Sequence, residues 1–170
     1  TIRGARIKTW KNAPVNMRDV FLNSIGQFAQ REFLVLDDDR VTYDAFGKAA
    51  IAFAHQLAKD GVKKGDRVAI VMRNLPEWPV VFFATLSLGA IATPLNAWWT
   101  GPELEYGLQD SGAKIAVLDH ERWERMREHA DACPALKRCF VSRAAEEIAD
   151  PRVTKLESVI GGADAWATLP

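Results

Sequence analysis

The stretch from residue 61 to 119 constrains this chain more than any other part, because short apolar runs there alternate with helical periodicity. RVAIVM (67–72) and KIAVLD (114–119) are apolar at odd and even positions alike, so a strand made of either has to be covered on both faces. NLPEWPVVFFATLSLG (74–89) and TGPELEYGLQDSG (100–112) read as covering helices, with AIATPLN (90–96) as a further strand between them. Turn residues stand at nearly every junction. The pattern predicts an α/β fold of three layers, with a mainly parallel sheet and right-handed crossover helices.

The flanking segments extend that pattern. Asn16 is placed to cap a helix over 17–31 that puts Phe21, Ile25 and Phe28 on one face, and FLVLD (33–37) follows as a short strand. Asp37, Asp38 and Asp39 read as a solvated hairpin tip, since consecutive turn residues point in different directions and make a poor cation cage. Thr42 caps the clearest helix, in which Tyr43, Phe46, Ala50, Phe53 and Leu57 repeat at helical spacing before Gly61 closes it. Lys63 and Lys64 fit a polar turn better than an anion site. Asn74 with Glu77, and Thr100 with Glu103, have the spacing of capping pairs, and 80–88 is apolar enough for a helix buried all round. Pro94 marks a strand end or an edge. Trp123, Met126 and Ala130 share a helix face that ends before Pro134, and RCFVS (138–142) is a last strand. Residues 144–170 are poorly periodic and read as loop with one short helix near 156–160. One partial domain over 1–170 is expected, with an opening helix and strand (1–41), an alternating core (42–143) and an irregular tail (144–170).

Composition removes several function classes. The 22 basic and 22 acidic residues cancel, which gives no bulk attraction to nucleic acid or to an anionic bilayer. No apolar run reaches the ~20 residues of a membrane span, and the irregular start TIRGARIKTWKNAPVN has no apolar signal core, so a cytoplasmic location is expected. Trp10 between Lys8 and Lys11 leaves a peripheral membrane contact open, on a weak signal. Cys133 and Cys139 form no disulfide framework, and a zinc site with His120 and His129 matches no common ligand spacing. Both thiols are read as reduced packing residues. There is no G-x-G-x-x-G, no P-loop and no G-x-S-x-G elbow, so the residues alone designate no catalytic group.

Eight short motifs fall in a specific order. They are Thr42-Tyr43, Gly61-Val62, the run from Gly65 to Ala69, Asn74 with Glu77, Gly89-Ala90, Pro94 to Asn96, Glu103-Leu104, and Gly112 to Lys114. Together they resemble the amino-terminal region of the adenylate-forming acyl-CoA synthetase family (AMP-binding enzymes), and PLNAWWTG (94–101) is most similar to bacterial fatty-acid or medium-chain acyl ligases. The resemblance implies a ligase that joins ATP and a carboxylic acid to an acyl-adenylate, with Mg2+, and passes the acyl group to coenzyme A. It also implies that the phosphate-gripping loop lies beyond Pro170, so these 170 residues carry no catalytic, cofactor-binding or metal-binding residue and are inactive alone. A self-standing α/β binding or assembly domain is the alternative, and an unrelated nucleotide binder is weakened by the missing glycine fingerprint.

Trp98 and Trp99 are the candidate interface residues, because adjacent indoles before a helix suit a covered surface. Packing against the rest of such an enzyme explains them better than ligand contact. With Trp166 and Leu169 they are expected to leave an apolar surface through which the chain self-associates.

Overall fold

Side chains along the strands of the main sheet alternate between two separate cores. Val68, Ile70, Met72, Ile115, Val117 and Phe140 enter one, while Ala69, Val71, Ala116, Leu118, Cys139 and Val141 enter the other. In the computed structural model, which describes residues 3–170, these strands are β3 (Arg67–Val71), β5 (Ile115–Asp119) and β6 (Arg138–Ser142). With β4 (Ile91–Pro94) and β7 (Val153–Lys155) they form a five-stranded parallel sheet in the order β4-β3-β5-β6-β7. A separate antiparallel hairpin joins β1 (Glu32–Leu36) to β2 (Asp39–Thr42), with the aspartates at its tip. The first two residues of the irregular start lie outside the described part.

The helices divide between the faces as the alternation requires. The first core lies beneath α1 (Met17–Gln27), α2 (Tyr43–Lys59), α3 (Glu77–Ser87) and α6 (Glu157–Ile160). The second is covered by α4 (Gly101–Ser111), α5 (His120–Met126) and a 3-10 turn over Arg127–Ala132. Asn16 and Thr42 cap α1 and α2 through their side chains, as the spacing predicts. Glu103 accepts from the amide and the hydroxyl of Thr100 at 2.8 and 2.9 Å, so the second capping pair is real. Those two bonds hold the Glu103 carboxyl below the usual carboxylate range. At the other end of α4, Gly112 adopts φ 59°, and Arg67 donates to the exposed carbonyls of Ser111 and Gly112 at 2.7 and 3.0 Å. Pro94 sits at the end of the edge strand β4, where its missing N–H costs no ladder bond.

Four expectations are corrected. Helix α1 stops at Gln27 rather than continuing to residue 31, because the backbone turns there into the hairpin. Asn74 does not cap α3; the helix starts at Glu77 behind Pro76, and the Glu77 carboxylate turns away to pair with Arg143 at 3.0 and 3.3 Å. Nor is α3 buried all round: Phe82, Phe83, Leu86, Ser87 and Leu88 are only half-buried. The segment 144–170 is not an irregular tail. It contributes β7, α6 and a 3-10 turn over Ala163–Thr168 that buries Trp166 completely, with its indole N–H donating to the Gly161 carbonyl at 3.2 Å. Trp166 therefore adds nothing to an exposed apolar surface.

Helix α2 anchors the first core. Phe46 and Phe53 are 1 % and 0 % exposed; Phe46 meets Phe21, Phe33 and Phe83, and Phe53 meets Phe140 edge-on at 5.1 Å. Replacing either by Ala removes a large buried ring and is expected to destabilise by about 3–5 kcal/mol. Denaturant midpoints of the two variants check this, and unchanged midpoints would place both rings on the wrong face.

Candidate functional site

A parallel sheet opens a crevice at the carboxyl ends of two neighbouring strands whose outgoing connections leave to opposite sides. Here β3 leads through α3 to β4 on one side, and β5 leads through α5 to β6 on the other, so that point falls between β3 and β5. Next to it, a cavity of about 640 Å3 lies beyond the carboxyl ends of β3 and β4, lined by Met72, Arg73, Asn74, Trp78, Asn96 and Trp98 among others.

The base beside this crevice is set by Asp119, the last residue of β5 and the N-cap of α5. Its carboxylate is 5 % exposed and accepts from the Arg73 amide at 2.9 Å, from the Arg122 amide at 3.0 Å, and from Arg122 Nη1 at 3.3 Å. Arg122 is itself 1 % exposed and donates through Nε to the Ala97 carbonyl at 2.7 Å. The loop before α4 is thus tied to α5. Asn96 then turns that loop by accepting from the Trp98 amide at 2.9 Å, which leaves the Trp98 indole 67 % exposed.

Arg73 lays its guanidinium over the Trp98 ring, 4.2 Å from the centroid, and Arg122 approaches the same ring at 5.9 Å. While Arg122 is buried and already paired, the exposed indole with the exposed Arg73 guanidinium suits a planar or anionic group by stacking and charge. It supplies binding and positioning, with no nucleophile. Arg122 Nη2 and His120 Nδ1 are buried here without a hydrogen-bond partner among the described residues.

The two candidate tryptophans do different things. Trp98 faces the crevice, whereas Trp99 packs with Leu95 against the second core, where a Cβ on Gly107 would fall 2.9 Å from its ring. Cys133 and Cys139 are free and buried, and burial pushes the Cys139 thiol up to about 12, so it is no nucleophile. His129 pairs with Glu105 at 2.7 Å, and the described residues hold no group of three or more metal-ligating side chains. Sequence reasoning passed over Arg73, Asp119 and Arg122. The available signal was Asp119, an N-cap residue directly after a strand buried on both faces.

Comparison with known proteins agrees with this architecture. A family model described as AMP-binding enzyme matches residues 21–163. A long-chain-fatty-acid–CoA ligase of Escherichia coli O6:H1 is 30 % identical over 143 residues, which cover 84 % of this chain and 25 % of that protein. The long-chain-fatty-acid–CoA ligase FadD13 of Mycobacterium tuberculosis is 39 % identical over 80 residues, 47 % of this chain and 16 % of its own length. The chain therefore spans about a quarter or less of these relatives. Among solved structures, the anthranilate CoA ligase AuaEII superposes with a TM-score of 0.80 at 22 % identity, covering 95 % of this chain and 30 % of that one. The N-terminal domain of FACL13 from Mycobacterium tuberculosis gives a TM-score of 0.69 at 27 % identity, over 80 % of this chain and 38 % of that one.

The Asp119 tie yields a graded test. Asp119→Ala removes the cap and leaves buried Arg122 with only the exposed Glu121 carboxylate, 2.9 Å from Nη1, as counter-charge, at an expected cost of about 3 kcal/mol. Asp119→Asn keeps the cap geometry and should lose less, about 1–3 kcal/mol. Because both variants lack the charge, equal midpoints would show that the hydrogen bonds of the cap contribute nothing beyond it.

Proposed function

Because the chain belongs to the AMP-binding enzyme family, we propose that it is the amino-terminal part of an ATP-dependent acyl-CoA ligase whose acid is a fatty acid. The 30 % identity to a long-chain-fatty-acid–CoA ligase over 84 % of the chain carries this reading. The reaction would join carboxylate and ATP to an acyl-adenylate and pyrophosphate, after which coenzyme A thiolate takes the acyl group. Such chemistry needs donors that hold a triphosphate in line with the attacking carboxylate. Among the described residues no glycine-rich phosphate loop occurs. Magnesium, which that reaction uses, likewise finds no ligand set in them, so no step is assigned to it.

On this reading the chain supplies scaffold and one wall of the working cleft. The crevice beyond the carboxyl ends of β3 and β4 is the part that faces reactants, with Trp98 at an interface and Trp99 as its packed support. A cytoplasmic location accords with a supply of ATP and coenzyme A. When the 170 residues stand alone, self-association through the exposed Trp98 takes the place of the covering parts. The alternative is a self-standing α/β domain for binding or assembly.

The test is to express the whole reading frame that encodes these residues and measure acid-dependent ATP–pyrophosphate exchange and thioester formation. Fatty acids of graded length are expected to support both, while residues 1–170 alone stay at the blank. Absence of both activities from the whole frame would overturn the ligase reading in favour of the alternative. Exchange by residues 1–170 alone would overturn their assignment as scaffold.

A further inference from the structure

The charge of this chain is balanced overall, yet its first 18 residues contain five basic side chains, Arg3, Arg6, Lys8, Lys11 and Arg18, and no acidic one. The remainder consequently carries an excess of five acids. Opposite charges attract, so an arm of this sign would be expected to fold back on the body. The structure shows otherwise. None of the five cations is in an ion pair among the described residues.

The apolar side chains of the same segment are also uncovered. Ile7, Trp10 and Val15 are 56, 86 and 92 % exposed, and Met17 and Leu22 at the start of α1 are 45 and 43 % exposed. Where the arm meets the body, Met17, Leu86 and Leu88 line a cavity of about 520 Å3 rimmed by Arg18 and Lys64. Cations and apolar groups thus continue from the arm onto the adjoining face.

We propose that residues 3–18 form a membrane-docking arm that binds the surface of a bilayer rich in anionic phospholipid. Trp10 and Ile7 enter the headgroup boundary, where an indole keeps its N–H wet while its ring is buried. Arg6, Lys8 and Lys11 lie against the anionic headgroups, and Arg18 with Lys64 extends the contact at the base. Each cation adds attraction that falls off within a Debye length, so binding weakens with salt. A nucleic acid would also answer the charge, but it leaves Ile7, Val15 and Met17 without a partner.

The assay is flotation of the 170-residue chain with vesicles of phosphatidylglycerol and phosphatidylcholine, against vesicles of phosphatidylcholine alone. It needs no substrate, so it succeeds or fails independently of the ligase reading. Binding is expected only with phosphatidylglycerol, with a blue shift of tryptophan emission that Trp10→Ala abolishes. Lys8→Ala with Lys11→Ala should weaken binding about thirtyfold at low salt, and Tyr106→Ala, at an exposed aromatic of α4 away from the arm, should leave it unchanged. Equal binding to both vesicle types, no binding to either, or insensitivity to the double substitution would overturn the proposal. So would tight binding to single-stranded DNA without any Trp10-dependent shift on vesicles.

Discussion

The carboxylate of Asp119 joins three parts of the chain that are far apart in sequence. It holds the amide of Arg73 just past β3, the first turn of α5, and, through Arg122, the carbonyl of Ala97 before α4. Two buried charges are expensive to desolvate, and the cost is offset only because most lone pairs and protons find partners. The arrangement fixes more than it stabilises. With Ala97 held, Asn96 can close its turn, and the Trp98 ring stands over Arg73 instead of collapsing onto the sheet. The crevice is a consequence of that chain of contacts.

The two cores solve the packing of the sheet differently. The first is filled with aromatic rings from the helices, Phe21, Phe46, Phe53 and Phe83, against Phe140 from the sheet. The second places small residues on the strands, Ala69, Ala116 and Cys139, opposite Trp123, Leu104 and Leu108. Interiors pack at crystal-like density, so a small strand residue is what lets a large helix residue lie close. Two glycines of α4 serve the same end. At Gly101 a Cβ would strike the His129 ring and lie 2.6 Å from the Arg125 carbonyl oxygen, and at Gly107 it would meet Trp99.

What could be read from sequence was whatever has a local period or a local partner. The strands β3 and β5 and the face of α2 carry a local period although their partners are distant, the Thr100–Glu103 cap has its partner three residues away, and all were legible. The pair Asn74 and Glu77 shows the same spacing as a cap but not the same structure, because Glu77 finds Arg143 66 positions away. A competitor at that separation leaves no local pattern. Strand β7 was hidden for a related reason: it has three residues, Val153–Lys155, none fully buried, and it exists only because β6 offers an edge. Trp166 looked unpartnered since Leu156, Ile160 and α2 reach it only after that strand has turned the chain back. At the site, the tryptophans were visible and their separate fates were not, for Trp98 depends on Arg122 and Trp99 on Gly107.

The two ends of the sheet are electrostatically unlike. At the amino ends of the strands a cavity of about 390 Å3 is bordered by Asp60, Lys114, Lys137, Arg138 and Arg152. There Lys114 meets Asp66 at 2.7 Å, Arg152 meets Asp150 at 2.8 Å, and Arg138 bonds to Asp60. The hydrogen bond from Lys114 holds the Asp66 carboxyl below the usual carboxylate range, and Arg152 does the same for Asp150. Of the cations bordering this cavity, Lys137 alone has no carboxylate partner among the described residues. At the carboxyl ends Arg73 has no carboxylate partner among the described residues and rests on an exposed indole instead. Strand order opens a crevice at that end and thus brings the exposed Trp98 and the Arg73 guanidinium to the same side of the sheet.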